Sequence, residues 1–185
     1  MDDTELMLRV KQGDDQAFRQ IVETYHKPIL DLCFRYVGNQ EDAEEVAQDV
    51  FIRLYKAAHR YQPKAKLSTL LYRIAVNLSL NRIRDRKAKR WVSWEHHRKE
   101  DEKRPLSSET SQPDTVLENK EKQKMIRDVI DSLPPNQRTA VILKRYHDLS
   151  YEEVADVMRC SVSAVEARLH RAKQNLKKRL KPFIP

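Results

Sequence analysis

Glycine is nearly missing from this chain: Gly13 and Gly38 are the only two in 185 residues. P-loops and dinucleotide fingerprints need several glycines close together, so both kinds of phosphate-cradling loop are excluded. Cysteine is equally scarce. Cys33 and Cys160 stand too far apart for a disulfide framework and no CxxC occurs, which fits a reducing, intracellular setting. His96 and His97 have no cysteine or carboxylate at ligand spacing, so neither a metal nor a cofactor is expected. No stretch approaches the roughly 18 apolar residues of a membrane span, and Met1-Asp2-Asp3-Thr4-Glu5 has neither the basic start nor the apolar run of a secretion signal. The expectation is a cytoplasmic protein with no membrane insertion.

Charge is what the chain has in quantity. Charged residues make up 35% and the net charge is +8, a balance that suits helical proteins. The distribution says more than the sum. Residues 1–60 and 91–117 are acidic, whereas 61–90 hold nine basic side chains against one acidic, and 118–185 hold fifteen against nine. Two basic blocks point to two contact regions for a polyanion, with an acidic surface left for another partner.

The stretch Leu149–Met158, followed by Arg159-Cys160-Ser161 and then Val162–Leu180, organises the second block. Ser150 with Glu153 three residues on is a capping box, and Ser161 or Ser163 starts the next helix, Ser163 with Glu166 as its box partner. Two helices on so tight a turn read as helix-turn-helix. Val162, Val165, Leu169, Ala172, Leu176 and Leu180 form the packing stripe. Ser163, Ala164, Ala167, His170, Arg171, Gln174 and Lys178 therefore face outward. Small residues early and basic ones later suit a helix that brings its first turns to base edges and its later turns to phosphates. The plainer alternative is an amphipathic helix with a solvated basic face.

From the N-terminus, Thr4–Gln12 reads as a short helix stopped by Gly13, and Asp14 caps a helix carrying Phe18, Ile21, Val22 and Tyr25. Pro28 is placed as the first turn of a further helix, with Ile29, Leu32, Cys33, Tyr36 and Val37 running to Gly38. In the helix over 41–60, Ala43, Val46, Ala47, Val50, Leu54 and Ala57 point inward. Glu45, Gln48, Asp49, Ile52, Tyr55 and Lys56 point outward, and apolar Ile52 and Tyr55 within a polar rim resemble a protein-docking surface. A loop with Lys64 and Lys66 leads to a helix over 69–89 whose polar stripe is Arg73, Asn77, Asn81 and Arg84. Two asparagines four residues apart in a helix packed on both sides either satisfy buried backbone groups or hydrogen-bond bases, with the loop lysines on phosphate.

The run Leu67–Asn77 resembles the promoter-melting helix of extracytoplasmic-function sigma factors of bacterial RNA polymerase. Leu133-Pro134 with Arg138, Leu149–Ala155 and Val165–Ala172 are similar to that family's C-terminal domain, in the same order along the chain. The resemblance implies an all-α fold of two small helical domains joined by a flexible linker. Residues 1–90 would form a region 2-like domain that docks on the polymerase clamp helices through Gln48, Asp49, Ile52 and Tyr55. Its asparagines Asn77 and Asn81, with Arg73, Arg84, Lys64 and Lys66, would read and melt the −10 element, the loop capturing a flipped base. Residues 118–185 would form a region 4-like domain near the polymerase flap that reads the −35 element with Ser163, Ala164, Ala167, His170 and Arg171.

The same resemblance implies an anti-sigma partner, no enzymatic activity and no obligate homo-oligomer. Leu70 stands where relatives usually have Trp, which bears on how that helix is braced behind the melted strand. Asn81 stands where Asp is also common, which bears on the preferred −10 sequence. Glu166 stands where the residue is usually basic, which implies a weaker or unusual −35 preference. The polar stretch from Lys87 to Val116, with residues 91–117 as linker, is expected to have little regular structure. Trp91 and Trp94 at its start either pack on the first domain or stack on bases. Glu118–Leu133 reads as a helix with Met125, Ile126, Val129 and Ile130 inward, broken by Pro134-Pro135, and Asn136 opens a helix carrying Val141, Leu143 and Tyr146. The alternative from another class is a self-sufficient dimeric helix-turn-helix regulator, against which stand the long linker and the lack of a dimerisation helix.

Overall fold

The structure, a computed structural model, describes residues 2–63, 65–97 and 124–181, with backbone only for 90–97. Lys64, the greater part of the linker, and the side chains of Trp91 and Trp94 lie outside the described residues. The described residues form helices and no strand: α1 (Asp3–Lys11), α2 (Asp15–Val37), α3 (Gln40–Ala57) and α4 (Leu67–His97), then α5 (124–131), α6 (Pro135–Tyr146), α7 (Tyr151–Met158) and α8 (Val162–Leu180).

Local chemistry sets most of the boundaries. Asp14 accepts from the amides of Gln16 and Ala17 to start α2. These amides, with Arg9 at 2.8 Å, hold its carboxyl below the usual carboxylate range. Gly38 ends α2 with φ +83°, its N–H returning to Phe34, the left-handed turn that a Cβ would disfavour. Asn39 then caps α3 on the Asp42 amide.

Four expectations fail here. Pro28 does not begin a helix; α2 runs straight through it. A proline inside a helix costs about 3 kcal/mol, yet the flanking turns bury Ile21, Ile29, Leu32 and Cys33 completely, each such side chain contributing roughly 1.5–3 kcal/mol. Ala57 is exposed; the chain tightens into a 3-10 turn at Ala58–Arg60 and buries Ala58 instead. α4 continues to His97, so the first residues assigned to the linker are helical. Ile126 is 47% exposed rather than inward, at the rim of a crevice with Arg35 and Arg127.

Helices α2, α3 and α4 pack mutually as a three-helix bundle with α1 laid on α2, while α6, α7 and α8 form a second trihelical unit. One apolar core runs through both. The seam between them is polar as well. Tyr36 donates to the Thr139 hydroxyl at 2.9 Å, and the Arg138 guanidinium, 7% exposed, donates to the carbonyls of Arg35 and Tyr36 at 3.1 and 2.8 Å. Those carbonyls lie at the C-terminal, negative end of α2, where a cation is favoured. Arg127 of α5 reaches the Gly38 carbonyl at 3.2 Å, so two arginines from the C-terminal helices moor on one helix end of the first unit.

Candidate nucleic-acid and partner interfaces

The helix-turn-helix is built by its caps. Ser150 and Glu153 close a capping box on α7, with Glu153 N–H to Ser150 Oγ at 3.1 Å and Ser150 N–H to Glu153 Oε2 at 3.0 Å. These bonds, the backbone one first and then Lys66, hold the Glu153 carboxyl below its ordinary value. α7 lies between two left-handed, non-glycine residues, Asp148 (φ 50°) and Arg159 (φ 51°). Of the two serines, Ser161 caps α8, accepting from the Ala164 amide at 3.2 Å, and Ser163 sits in the first turn with its hydroxyl 3.0 Å from that of Ser161.

Along α8, Val165 and Ala172 are fully buried and the rest of the packing stripe is half-buried. On the other side Ser163, His170 and Arg171 are exposed while Ala164 and Ala167 are partly so. All five −35 candidates therefore share an accessible face. His170 pairs with Gln174 at 2.9 Å on that face. Arg168, which the sequence did not single out, braces the turn by donating to Cys160 Sγ at 3.0 Å.

The stripe on α4 divides into two. Asn77, Asn81 and Arg84 are exposed, their polar groups turned to solvent and so unused by buried backbone. Arg73 is half-buried and donates to the Asp156 carbonyl at 2.6 Å, and Lys66 pairs with Glu153 at 3.0 Å. Both partners lie on α7, so the second unit occupies the N-terminal half of the stripe and leaves the C-terminal half open.

In the first unit, Gln48, Asp49, Ile52 and Tyr55 are all exposed on α3, Ile52 and Tyr55 at 48% and 47%. Ile52 and Tyr55, with Phe51 and Lys56, line a groove of about 590 Å³ whose other wall is α2. Phe18 meets the Tyr55 ring edge-on at 4.9 Å, and the Tyr55 hydroxyl donates to Asp15 at 3.3 Å. Phe18 and Val22 pack on the core as their spacing indicates but also line this groove; the spacing marks an apolar face without saying how much of it is covered.

One network links the groove helix to the stripe helix. Arg82 of α4 donates to both Asp42 and Glu45 of α3, and Arg86 reaches the Val37 carbonyl at 3.2 Å. Asn39 first and Arg82 next hold the Asp42 carboxyl below its usual range. No group of three or more metal-ligating side chains occurs among the described residues, and no described helix is long and apolar enough to cross a membrane.

Comparison with known proteins bears on both units. Residues 21–89 match the family model Sigma-70 region 2, and residues 123–176 match Sigma-70, region 4. The chain is 34% identical over 175 residues to the ECF RNA polymerase sigma factor SigW of Bacillus subtilis (strain 168), covering 94% of each protein. It is 32% identical over 185 residues to the ECF RNA polymerase sigma-E factor of Escherichia coli (strain K12), covering 98% of this chain and 96% of the relative. The solved structure of CnrH in complex with the cytosolic domain of CnrY has a TM-score of 0.71 at 21% identity, covering 97% of both chains. The sigma factor RpoE in complex with the anti-sigma factor NepR from Bartonella quintana gives 0.63 at 20%, covering 89% of this chain and 96% of that one. At these identities the two structures show a common fold.

Proposed function

The chain belongs to the extracytoplasmic-function sigma factors, and on that premise we propose that it joins RNA polymerase as a dissociable subunit, selects promoters by two separate readings and opens them by binding alone. The working division is 1–90 for docking and −10 reading, 91–117 as linker, and 118–185 for −35 reading. In the first reading Ser163, Ala164, Ala167, His170 and Arg171 of α8 enter the major groove of duplex −35 DNA. In the second, Asn77 and Asn81 hydrogen-bond unstacked bases of the −10 strand, flanked by Arg73 and Arg84, with Lys64 and Lys66 on phosphate. Unstacking a base costs a few kcal/mol, and a surface that favours the extruded base offsets it. No hydrolysis enters. The working compartment is the cytoplasm, where polymerase and promoter DNA are found, and an anti-sigma factor is the expected antagonist.

The observation that supports this reading most is that three accessible sets, two polar and one apolar, fall on three different helices. Asn77 and Asn81 lie on α4, Ser163, His170 and Arg171 on α8, and Ile52 and Tyr55 on α3 beside the groove. A self-sufficient dimeric regulator gives no reason for the first and third together, and family membership sets that alternative aside. The test is run-off transcription with purified core polymerase and a promoter library. Selective transcripts are expected with the chain and none without it. Ile52→Asp, which places a charge in the apolar centre, should abolish co-elution with core polymerase while leaving circular dichroism unchanged. Unaltered co-elution would remove α3 as the docking helix.

A further inference from the structure

His147 follows α6 and precedes the capping box of α7, at the seam between the two units. Its ring meets the Tyr72 ring of α4 edge-on, with centroids 5.4 Å apart and an interplanar angle of 64°. Nε2 is sealed from solvent and has no hydrogen-bond partner among the described residues. A neutral imidazole tolerates such a place. An imidazolium there would bury a second charged N–H with nothing to accept it, which is costly in a dry contact.

The contact does more than join two rings. It lies on the seam where Arg73 donates to Asp156 and Lys66 meets Glu153, the half of the α4 stripe that the second unit covers. Lys66 and Glu153 are 71% and 34% exposed at the side chain, so that pair is screened and worth at most about 1 kcal/mol. The aromatic contact and the buried Arg138 moor the closed arrangement more firmly, and of the two only the histidine changes charge near neutral pH.

We propose that the His147–Tyr72 contact is an acid-sensitive latch: it holds the second helical unit over the N-terminal half of the strand-reading stripe, and protonation of His147 releases it. The part about the stripe rests on the strand-reading role given to α4 above; the latch itself rests on the seam alone. Several charges act on the imidazole: Asp31 and Arg35 from α2, and Asp148 from the next position in the chain. From α4 it meets the Tyr72 ring, and Glu153 of α7 acts on that tyrosine. The two aspartates favour the imidazolium and Arg35 opposes it, but burial is the largest influence and leaves His147 below its ordinary value of 6.5. Freed from the seam, the same histidine returns to that value. The open form therefore binds a proton more readily than the closed form. Closure is at full strength above about pH 6.5 and weakens as the pH falls through that value.

The test is small-angle scattering of the full chain at about pH 8 and about pH 5.5, bracketing the ordinary imidazole value, with circular dichroism alongside. The wild type should be compact at the higher pH and expanded at the lower with its helix content intact. His147→Gln and His147→Phe, which cannot take the proton, should stay compact at both. A fluorescent single-stranded oligonucleotide should bind the wild type several-fold more tightly after expansion. Expansion in the variants at the same pH, loss of helix with expansion, or an extended wild type at high pH would overturn the latch. Expansion that depends on His147 without a gain in strand affinity would uphold the latch and remove the strand-reading role from the covered half of α4.

Discussion

The two helical units carry DNA-facing residues in opposite ways. The first is built of long helices around large buried side chains such as Met7, Ile21, Leu32, Leu54 and Leu71, and α4 is packed along two of its faces before its polar stripe reaches solvent. The second has shorter helices, and alanines and valines (Ala140, Ala155, Ala172, Val154, Val157, Val165) supply more than half of its buried apolar residues. It relies on a capping box, a serine cap and a buried arginine whose carbonyl partners lie in its neighbour. A large core holds a reading helix chiefly by packing, with polar ties such as Arg82 to Asp42 and Glu45 added to it. A small one needs polar fastenings, and each of those is a single point of failure.

The comparison is broken most sharply at the reading residues of the first unit. Asn77→Ala with Asn81→Ala removes exposed amides from a helix that its core already holds. Strand opening should fall on the order of a hundredfold or more, since each good base contact is worth about 1–3 kcal/mol, while the melting temperature and duplex −35 binding stay put. Permanganate reactivity of the −10 thymines, beside a thermal melt, checks both halves.

Next comes the fastening of the second unit. Arg138→Ala leaves Asp131, its ion-pair partner at 2.6 Å, and two carbonyls of α2 without their cation. Asp131 is 40% exposed and is partly screened. The main loss is therefore the charged donor to the two carbonyls, about 1.5–3 kcal/mol for a hydrogen bond of that kind, and α5–α8 should lose protection in hydrogen exchange while the centres of α2 and α3 keep theirs. A uniform loss over both units would mean that the polymer melts as a single body and that the contrast drawn here is wrong.

A smaller effect separates the two serines of α8. Ser161→Ala deletes the cap and should cost about 1 kcal/mol in a denaturant titration. Ser163→Ala should cost almost nothing there but weaken duplex −35 binding. The smallest effect is acid-dependent and belongs to the first unit. The Asp42 carboxyl is held below its ordinary 3.8 by Asn39 and then Arg82, so its contribution is complete above that value and disappears as the pH falls through the lowered one. Wild type and Asp42→Asn should differ modestly in stability at neutral pH and converge in strong acid.

Much of this was legible from residue spacing. Apolar residues three and four apart placed α3, α4 and α8, and rotation alone put Ser163, His170 and Arg171 outside and Ile52 with Tyr55 on a charged face. Caps with a one-to-one chemical signature, Asp14, Ser150 with Glu153, and Gly38, were equally plain. What escaped depends on partners distant in sequence. Nothing near Arg73 announces Asp156, and nothing near His147 announces Tyr72. Pro28 misled because a local breaker was weighed without the burial on either side of it. Phe18 packs on the core as its spacing indicates but also lines the groove, because periodicity records an apolar face and not how much of it is covered.

The turns on either side of α7 have a further consequence. Asp148 and Arg159 adopt a backbone shape that glycine would take without strain; aspartate tolerates it, whereas for arginine it costs roughly 1–2 kcal/mol. Part of that is recovered because a side chain limits the disorder of the denatured chain. Arg159 is accordingly the position where a glycine could stabilise the reading head, and it lies outside the five residues proposed to touch the −35 bases.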